Sequence, residues 1–150
     1  MLAVGDRIPE FSLKNQEGNL ITISPKDKRY RVIYFCPMDN TRKCTEQACS
    51  FRDWQDELIE KGVEVIGISA DSPTSHLKFK AKHSLNFLLL SDTGGKVRRL
   101  FGATTFFGLL PSRKTFVTNE NGEITFIYEA LFEGKEHVNE VLKQVESSTL

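Results

Sequence analysis

The chain has 150 residues, with twenty Lys or Arg balanced by twenty Asp or Glu, so its formal charge is zero at pH 7. This length suits one compact domain with a single core, and no Pro/Ser-rich or low-complexity stretch offers a linker. The even charge argues against nucleic acid or an anionic membrane as the main partner, and apolar runs such as Val32 to Cys36 are too short to span a bilayer.

In chain order, Phe11 to Lys14 and Leu20 to Ile23 are short alternating runs about Glu17-Gly18, which predicts an N-terminal β-hairpin. The Lys26 to Arg31 segment is read as the solvated approach to a strand. Arg31 to Cys36 (RVIYFC) is β-branched and aromatic without alternation, as in a central strand buried on both faces, and Pro37 ends it. From Cys44 to Lys61, Ala48, Phe51, Trp54, Leu58 and Ile59 recur at helical spacing, and Gly62 supplies a stop.

Val63 to Ala70 predicts a second buried strand. Ser72-Pro73 then reads as an N-cap with proline at the first helical position, opening a helix toward His83. A third strand is expected at Phe87 to Leu90 and a short helix at Lys96 to Phe101. The apolar stretch Ala103 to Pro111, with Phe106, Phe107, Leu109 and Leu110, fits core as well as it fits pocket lining or a partner surface. Lys114 to Thr118 and Glu123 to Tyr128 flank Asn121-Gly122, a hairpin signal. A closing helix is expected over His137 to Val145, with Val138, Val141, Leu142 and Val145 on one stripe. The order of elements predicts an α/β sandwich around a mixed sheet.

Gly5, Asp6 and Arg7 interrupt the N-terminus, so no apolar leader is expected, and the default compartment is cytoplasmic and reducing. Three cysteines there are core residues, metal ligands or redox groups rather than a disulfide framework. The informative segment is CPMDNTRKCTEQAC, Cys36 to Cys49. Cys44 falls in the predicted first helical turn, where unpaired backbone N–H groups and the helix dipole favour thiolate over thiol. Arg42, Lys43 and Arg52 add positive charge nearby, while Glu46 and Asp39 oppose it. Thr41 either caps the turn or points its hydroxyl into the cavity of the sulfur. Pro37 either terminates the strand only or also fixes the backbone beside the sulfur.

The pattern formed by Pro37, Thr41 and Cys44 resembles the peroxiredoxin active-site motif. The following TEQACSFRD, the run Val63 to Asp71, Leu89 to Asp92, Pro111 to Phe116 and Lys135 to His137 resemble the bacterioferritin comigratory protein, or peroxiredoxin Q, subfamily. The resemblance implies a thioredoxin-like fold and reduction of hydrogen peroxide or organic hydroperoxides without metal or organic cofactor. It also implies that Cys44 is the peroxidatic cysteine, Thr41 a hydrogen-bonding group for the peroxide, and Pro37 a shield. Arg113 is then the arginine that stabilises thiolate and peroxide from a distant strand; without the resemblance it reads as a solvated strand arginine.

The resemblance further implies that Cys49 resolves the sulfenic acid of Cys44, that thioredoxin or a glutaredoxin regenerates both, and that the chain works as a monomer. On an intact helix, residues five apart are separated by about 7.5 Å of rise and about 140° around the axis, whereas a disulfide needs Cα atoms within about 7 Å. A continuous helix is therefore expected when the two thiols are apart, and rearrangement around Cys44 to Phe51 when they bond. Two departures stand out: Arg42-Lys43 replace the usual Pro-Gly, and Cys36 stands where an aromatic residue is common. Cys36 is expected to be an inert, buried strand-end residue; the sharper alternative is a second thiol competing as resolver.

His76, His83 and His137 are expected on solvent-facing helix positions, Trp54 in packing, and Asp71 in a turn or capping role. No zinc spacing, C-x-x-C pair or phosphate loop is present. The competing readings are a thiol–disulfide exchange enzyme and a non-enzymatic redox sensor.

Overall fold

The computed structural model describes residues 2–105, 110–129 and 141–145. Its strands are β1 (Phe11–Asn15), β2 (Leu20–Ile23), β3 (Tyr30–Phe35), β4 (Val63–Ser69), β5 (Leu88–Ser91), β6 (Thr104–Thr105), β7 (Leu110–Pro111), β8 (Lys114–Thr118) and β9 (Ile124–Glu129). The helices are α1 (Arg42–Glu60), α2 (Pro73–His83) and α3 (Lys96–Phe101). Seven strands form a mixed sheet in the order β2-β1-β5-β4-β3-β8-β9, and β6 and β7 pair separately. The core strands β3, β4 and β5 are parallel, while β1, β8 and β9 join antiparallel. This is the expected thioredoxin-like arrangement, with the N-terminal hairpin β1–β2 in register Phe11 to Ile23.

β3 and β4 sit at the centre, buried on both faces, because their alternate side chains feed two apolar clusters. Val32, Tyr34 and Cys36 face Cys44, Ala48, Phe51 and Leu58 of α1 and Phe79 of α2. Ile33, Phe35, Ile66 and Ile68 face Val97 and Phe101 of α3 and Phe116 of β8. The buried face of α1 differs from the predicted stripe: Ile59 is 59% exposed and Trp54 only partly buried, whereas the polar Gln47 and Gln55 are inside. Of the closing helix, 141–145 is helical, and Val141, Leu142 and Val145 are buried in the α1-side cluster. Val138 and His137 lie outside the described residues, as do Phe106, Phe107 and Leu109.

The basic approach to β3 is solvated as expected over Lys26, Asp27, Lys28 and Arg29, but not at its last residue. Arg31 is buried, paired with Asp27 at 2.7 Å and Glu64 at 3.0 Å. At the opposite end of β3, Tyr34 stacks on Phe51 with centroids 4.9 Å apart. It fits only because β4 carries Gly67 beside it: a Cβ there would lie 2.6 Å from the Tyr34 ring and hydroxyl.

The loop from Cys36 to Thr41 is anchored from beneath by α2. His76 is not solvent-facing but buried, at 1% exposure. Its Nδ1 lies 2.5 Å from Asp39 Oδ2, and its Nε2 lies 3.1 Å from the Leu90 carbonyl. Both ring nitrogens thus lie within hydrogen-bond reach of oxygen atoms. Asp71 ties the same loop down through the Asp39 N–H (2.7 Å) and also accepts from Ser69 Oγ (2.7 Å). Ligand atoms of Asp39, Asp71 and His76 lie within 4.8 Å of one another, but with both imidazole nitrogens engaged, hydrogen bonding accounts for the cluster.

Two outcomes are expected. Gly67→Ala should destabilise the fold by about 1–3 kcal/mol by overpacking against Tyr34, read as a lower urea midpoint with an unchanged denaturant slope. His76→Leu, which strands the Asp39 carboxylate, should cost about 3–5 kcal/mol, and the double variant His76→Leu/Asp39→Leu should recover much of that loss in the same titration.

Candidate active site

Cys44 occupies the third residue of α1, after the N-cap Thr41. The first intrahelical bond is Thr45 N–H to the Thr41 carbonyl at 2.9 Å, so the Cys44 N–H belongs to the unpaired first turn, as expected. Thr41 does not cap the helix with its side chain: its hydroxyl donates to the Met38 carbonyl at 2.9 Å and closes the loop on itself. Asn40 takes a left-handed backbone (φ 65°) that completes this turn. Pro37 is half-buried and follows Cys36, whose N–H extends the β3–β4 ladder to the Ile68 carbonyl at 3.0 Å.

The cation that reaches the sulfur is Arg113, delivered by the loop just before β8 and only 4% exposed. Its Nη1 lies 3.2 Å from Cys44 Sγ, 3.1 Å from Cys36 Sγ and 3.2 Å from Gln47 Oε1. Burial lowers the Arg113 pKa, and Glu46 acts against that. The charges expected from the neighbouring sequence are spent elsewhere. Arg42 and Lys43 pair with Glu46 at 3.3 and 3.5 Å; burial raises the Glu46 carboxyl, but Lys43 and Arg42 together hold it below its usual range. Arg52 donates to the His83 carbonyl at 2.7 Å and pairs with Asp53.

The cysteine pairing departs from the expectation. Cys44 is bonded to Cys36, with Cα atoms 6.0 Å apart, and Cys49 is a free, partly exposed thiol. The expected Cys44–Cys49 bond is absent from a helix that runs unbroken from Arg42 to Glu60, in keeping with the rise that separates residues five apart. Cys36 is therefore not an inert strand-end residue. It stands on the same face of β3 as Val32 and Tyr34, and that face is the one α1 covers. This parity was a signal available in the sequence, since strand side chains alternate and the first turn of α1 must return over the strand it follows.

Around the bonded pair, Tyr34, Asp39, Ser69, His76, Phe79 and Leu89 line a cavity of about 10 Å³, room for no more than a water. Burial, with the negative charges of Asp39 and Cys49 added, pushes the Tyr34 phenol far above its usual range, so it remains a neutral hydroxyl. Gln47, fully buried and not foreseen, fixes the guanidinium from the next turn of α1; its signal was a polar residue at helical spacing from Cys44. His76 was likewise legible as the residue three before Phe79 on the inner stripe of α2.

Chemically, the arrangement keeps one helix-terminal sulfur within hydrogen-bond reach of a buried cation and of a second sulfur. The AhpC/TSA family model matches residues 4–127. The chloroplastic peroxiredoxin Q of Oryza sativa subsp. japonica is 44% identical over 144 residues, which are 95% of this chain; the chain spans 66% of that protein's length. Among solved structures, the peroxidoxin BcpB of Mycobacterium tuberculosis aligns over 98% of both chains with a TM-score of 0.88 and 29% identity. The bacterioferritin comigratory protein of Xanthomonas campestris, whose alkyl peroxide reduction activity its structure addresses, aligns over 93% of this chain and 92% of its own, with a TM-score of 0.85 and 25% identity. A match that takes in the cysteine segment, Arg113 and every strand between them settles the relationship: the chain belongs to the AhpC/TSA family, among the peroxiredoxin Q proteins.

Proposed function

We propose that this protein is a thiol peroxidase that reduces hydrogen peroxide and organic hydroperoxides through Cys44. The observation that carries the reading is the Arg113 Nη1 contact with Cys44 Sγ at 3.2 Å inside a buried site. An opposite charge within about 4–6 Å favours the charged form of an acid, here the thiolate, which is the nucleophilic form of a cysteine. With the first-turn N–H groups and Arg113 around it, Cys44 attacks the nearer peroxide oxygen; the O–O bond breaks and the farther oxygen leaves as alcohol or water. Arg113 polarises that bond as charge develops, Thr41, whose hydroxyl proton goes to the Met38 carbonyl, accepts a hydrogen bond from the peroxide, and Pro37 keeps bulk water from the sulfur.

The sulfenic acid is then converted to a disulfide, and Cys49 is the thiol that carries it to the reductant. For this the first turns of α1 open. Their composition favours opening: Thr41 gives no side-chain cap, no acidic residue lies in the first turn, and Arg42 and Lys43 stand at the positive end of the helix dipole. An external dithiol protein, thioredoxin or a glutaredoxin, restores both thiols. The unit is one domain over residues 1–150, acting as a monomer because the resolving thiol is in the same chain, and needing no metal or organic cofactor. The compartment proposed is a reducing one such as the cytoplasm; among the described residues no helix is long and apolar enough to cross a membrane.

Stopped-flow mixing of the reduced protein with hydrogen peroxide tests the assignment. Wild type should oxidise orders of magnitude faster than free cysteine, Cys44→Ser should show no fast phase, and Arg113→Gln should slow it by roughly 10²-fold. A thiol–disulfide exchange enzyme would react with peroxide at the rate of a free thiol, and a sensor would not turn over with thioredoxin and its reductase.

A further inference from the structure

The three sulfurs are in unequal positions. Cys36 and Cys44 are bonded while α1 is intact, and both are buried, at 8% and 2% exposure. A reductant's thiolate must approach a disulfide sulfur directly, and at these exposures the pair offers such an attack little surface. Cys49 is the partly exposed one, on the same helix, and cannot meet Cys44 until the turn between them opens. Arg113 Nη1 touches Cys36 Sγ as closely as Cys44 Sγ.

We infer that the three cysteines form a relay in which Cys36, not Cys49, is the first thiol to close onto oxidised Cys44, and Cys49 then takes Cys44 over by exchange and presents the disulfide to the reductant. The inference rests on the peroxidase reading above and assigns the order of events within it. In the first step Cys44–SOH condenses with Cys36–SH; the S–S bond forms, the S–O bond breaks, and the hydroxyl leaves with the Cys36 proton as water. No backbone reordering is needed, so this step outruns any that requires the helix to open. In the second step the Cys49 thiolate attacks Cys44 Sγ, the Cys36–Cys44 bond breaks, and Cys36 departs as thiolate. Exchange is faster when the leaving thiol is the stronger acid, and the Arg113 guanidinium at 3.1 Å supplies that acidity. Finally an external protein dithiol reduces Cys44–Cys49 and is itself oxidised to a disulfide.

The buried bond thus has a protective use. It removes the sulfenic acid before a second peroxide can carry it up the oxidation ladder, and it does so before the slower opening of α1. One guanidinium serves both stages, holding the Cys44 thiolate in the first and the departing Cys36 thiolate in the second.

The test is a single turnover of fully reduced protein with one equivalent of hydrogen peroxide, acid-quenched over time, free thiols alkylated, and disulfides mapped by peptide mass spectrometry. In wild type Cys36–Cys44 should appear first and decay into Cys44–Cys49. In Cys49→Ser, Cys36–Cys44 should accumulate to one per chain and thioredoxin-coupled turnover should fall by about tenfold or more. In Cys36→Ser, dimedone should trap a longer-lived sulfenic acid and excess peroxide should give more sulfinic acid; Cys36→Ala should repeat this, excluding an effect of a buried hydroxyl. Appearance of Cys44–Cys49 before any Cys36–Cys44 bond overturns the relay, as does unimpaired thioredoxin recycling of Cys49→Ser. Failure of the peroxidase reading would look different: wild-type Cys44 oxidised no faster than a free thiol.

Discussion

A guanidinium buried beside sulfur is the constraint on which the site is built. Among the described residues Arg113 makes no ion pair; its acceptors are the two sulfurs and the Gln47 amide oxygen. A cation taken out of water without a carboxylate is costly, and that cost falls whenever a neighbouring group becomes an anion. Among the described residues, the groups so placed are Cys36 and Cys44. The same electrostatic imbalance that strains the protein therefore favours thiolate at these positions, and it does so at whichever sulfur carries the charge at a given stage. A carboxylate next to Arg113 would relieve the imbalance and remove the effect; Glu46, the nearest candidate by sequence, is occupied by Arg42 and Lys43.

The scaffold around this contact is divided into a firm half and a yielding half. Beneath the site, Asp39 is held by His76 of α2 and by Asp71 of the loop between β4 and α2, so the Cys36 to Asp39 segment is tied to neighbouring elements. Past Asp39 the restraint weakens. Thr41 closes its own loop instead of capping α1, and two cations sit at the helix end that prefers anions. Cys36 belongs to the firm half and Cys49 to the helix that must yield. That division suits the proposed peroxidase, whose sulfur would react in a rigid pocket and afterwards be carried outward. A uniformly stable helix start would protect the pocket and trap the disulfide inside it.

Much of this was legible one residue at a time. Apolar blocks and alternation placed β1 to β5, Ser72-Pro73 placed the start of α2, and Asn121-Gly122 the β8–β9 turn, because each signal is local and the chain obeys it before any packing occurs. Cys44 was recognisable for the same reason: a cysteine at a helix N-terminus after Pro37 and Thr41 is a property of contiguous chain. Ile59 shows where such reasoning fails. It continues an apolar stripe in sequence yet stays in solvent, because its neighbour Leu58 takes the inward position on that last turn, and Gln47 takes an inner position for its bond to Arg113.

The sequence by itself determined the order of the seven sheet strands and the helices, though not the short β6 and β7, and which sulfur stands at a positive helix end. Only the tertiary structure decided which cation reaches that sulfur, which cysteine lies against it, and that His76 is buried with Asp39. These are contacts across 8, 37 and 69 residues of chain. Propensity and periodicity act over a turn or a strand, whereas distances between such residues are set by sheet register and by the face on which each side chain emerges.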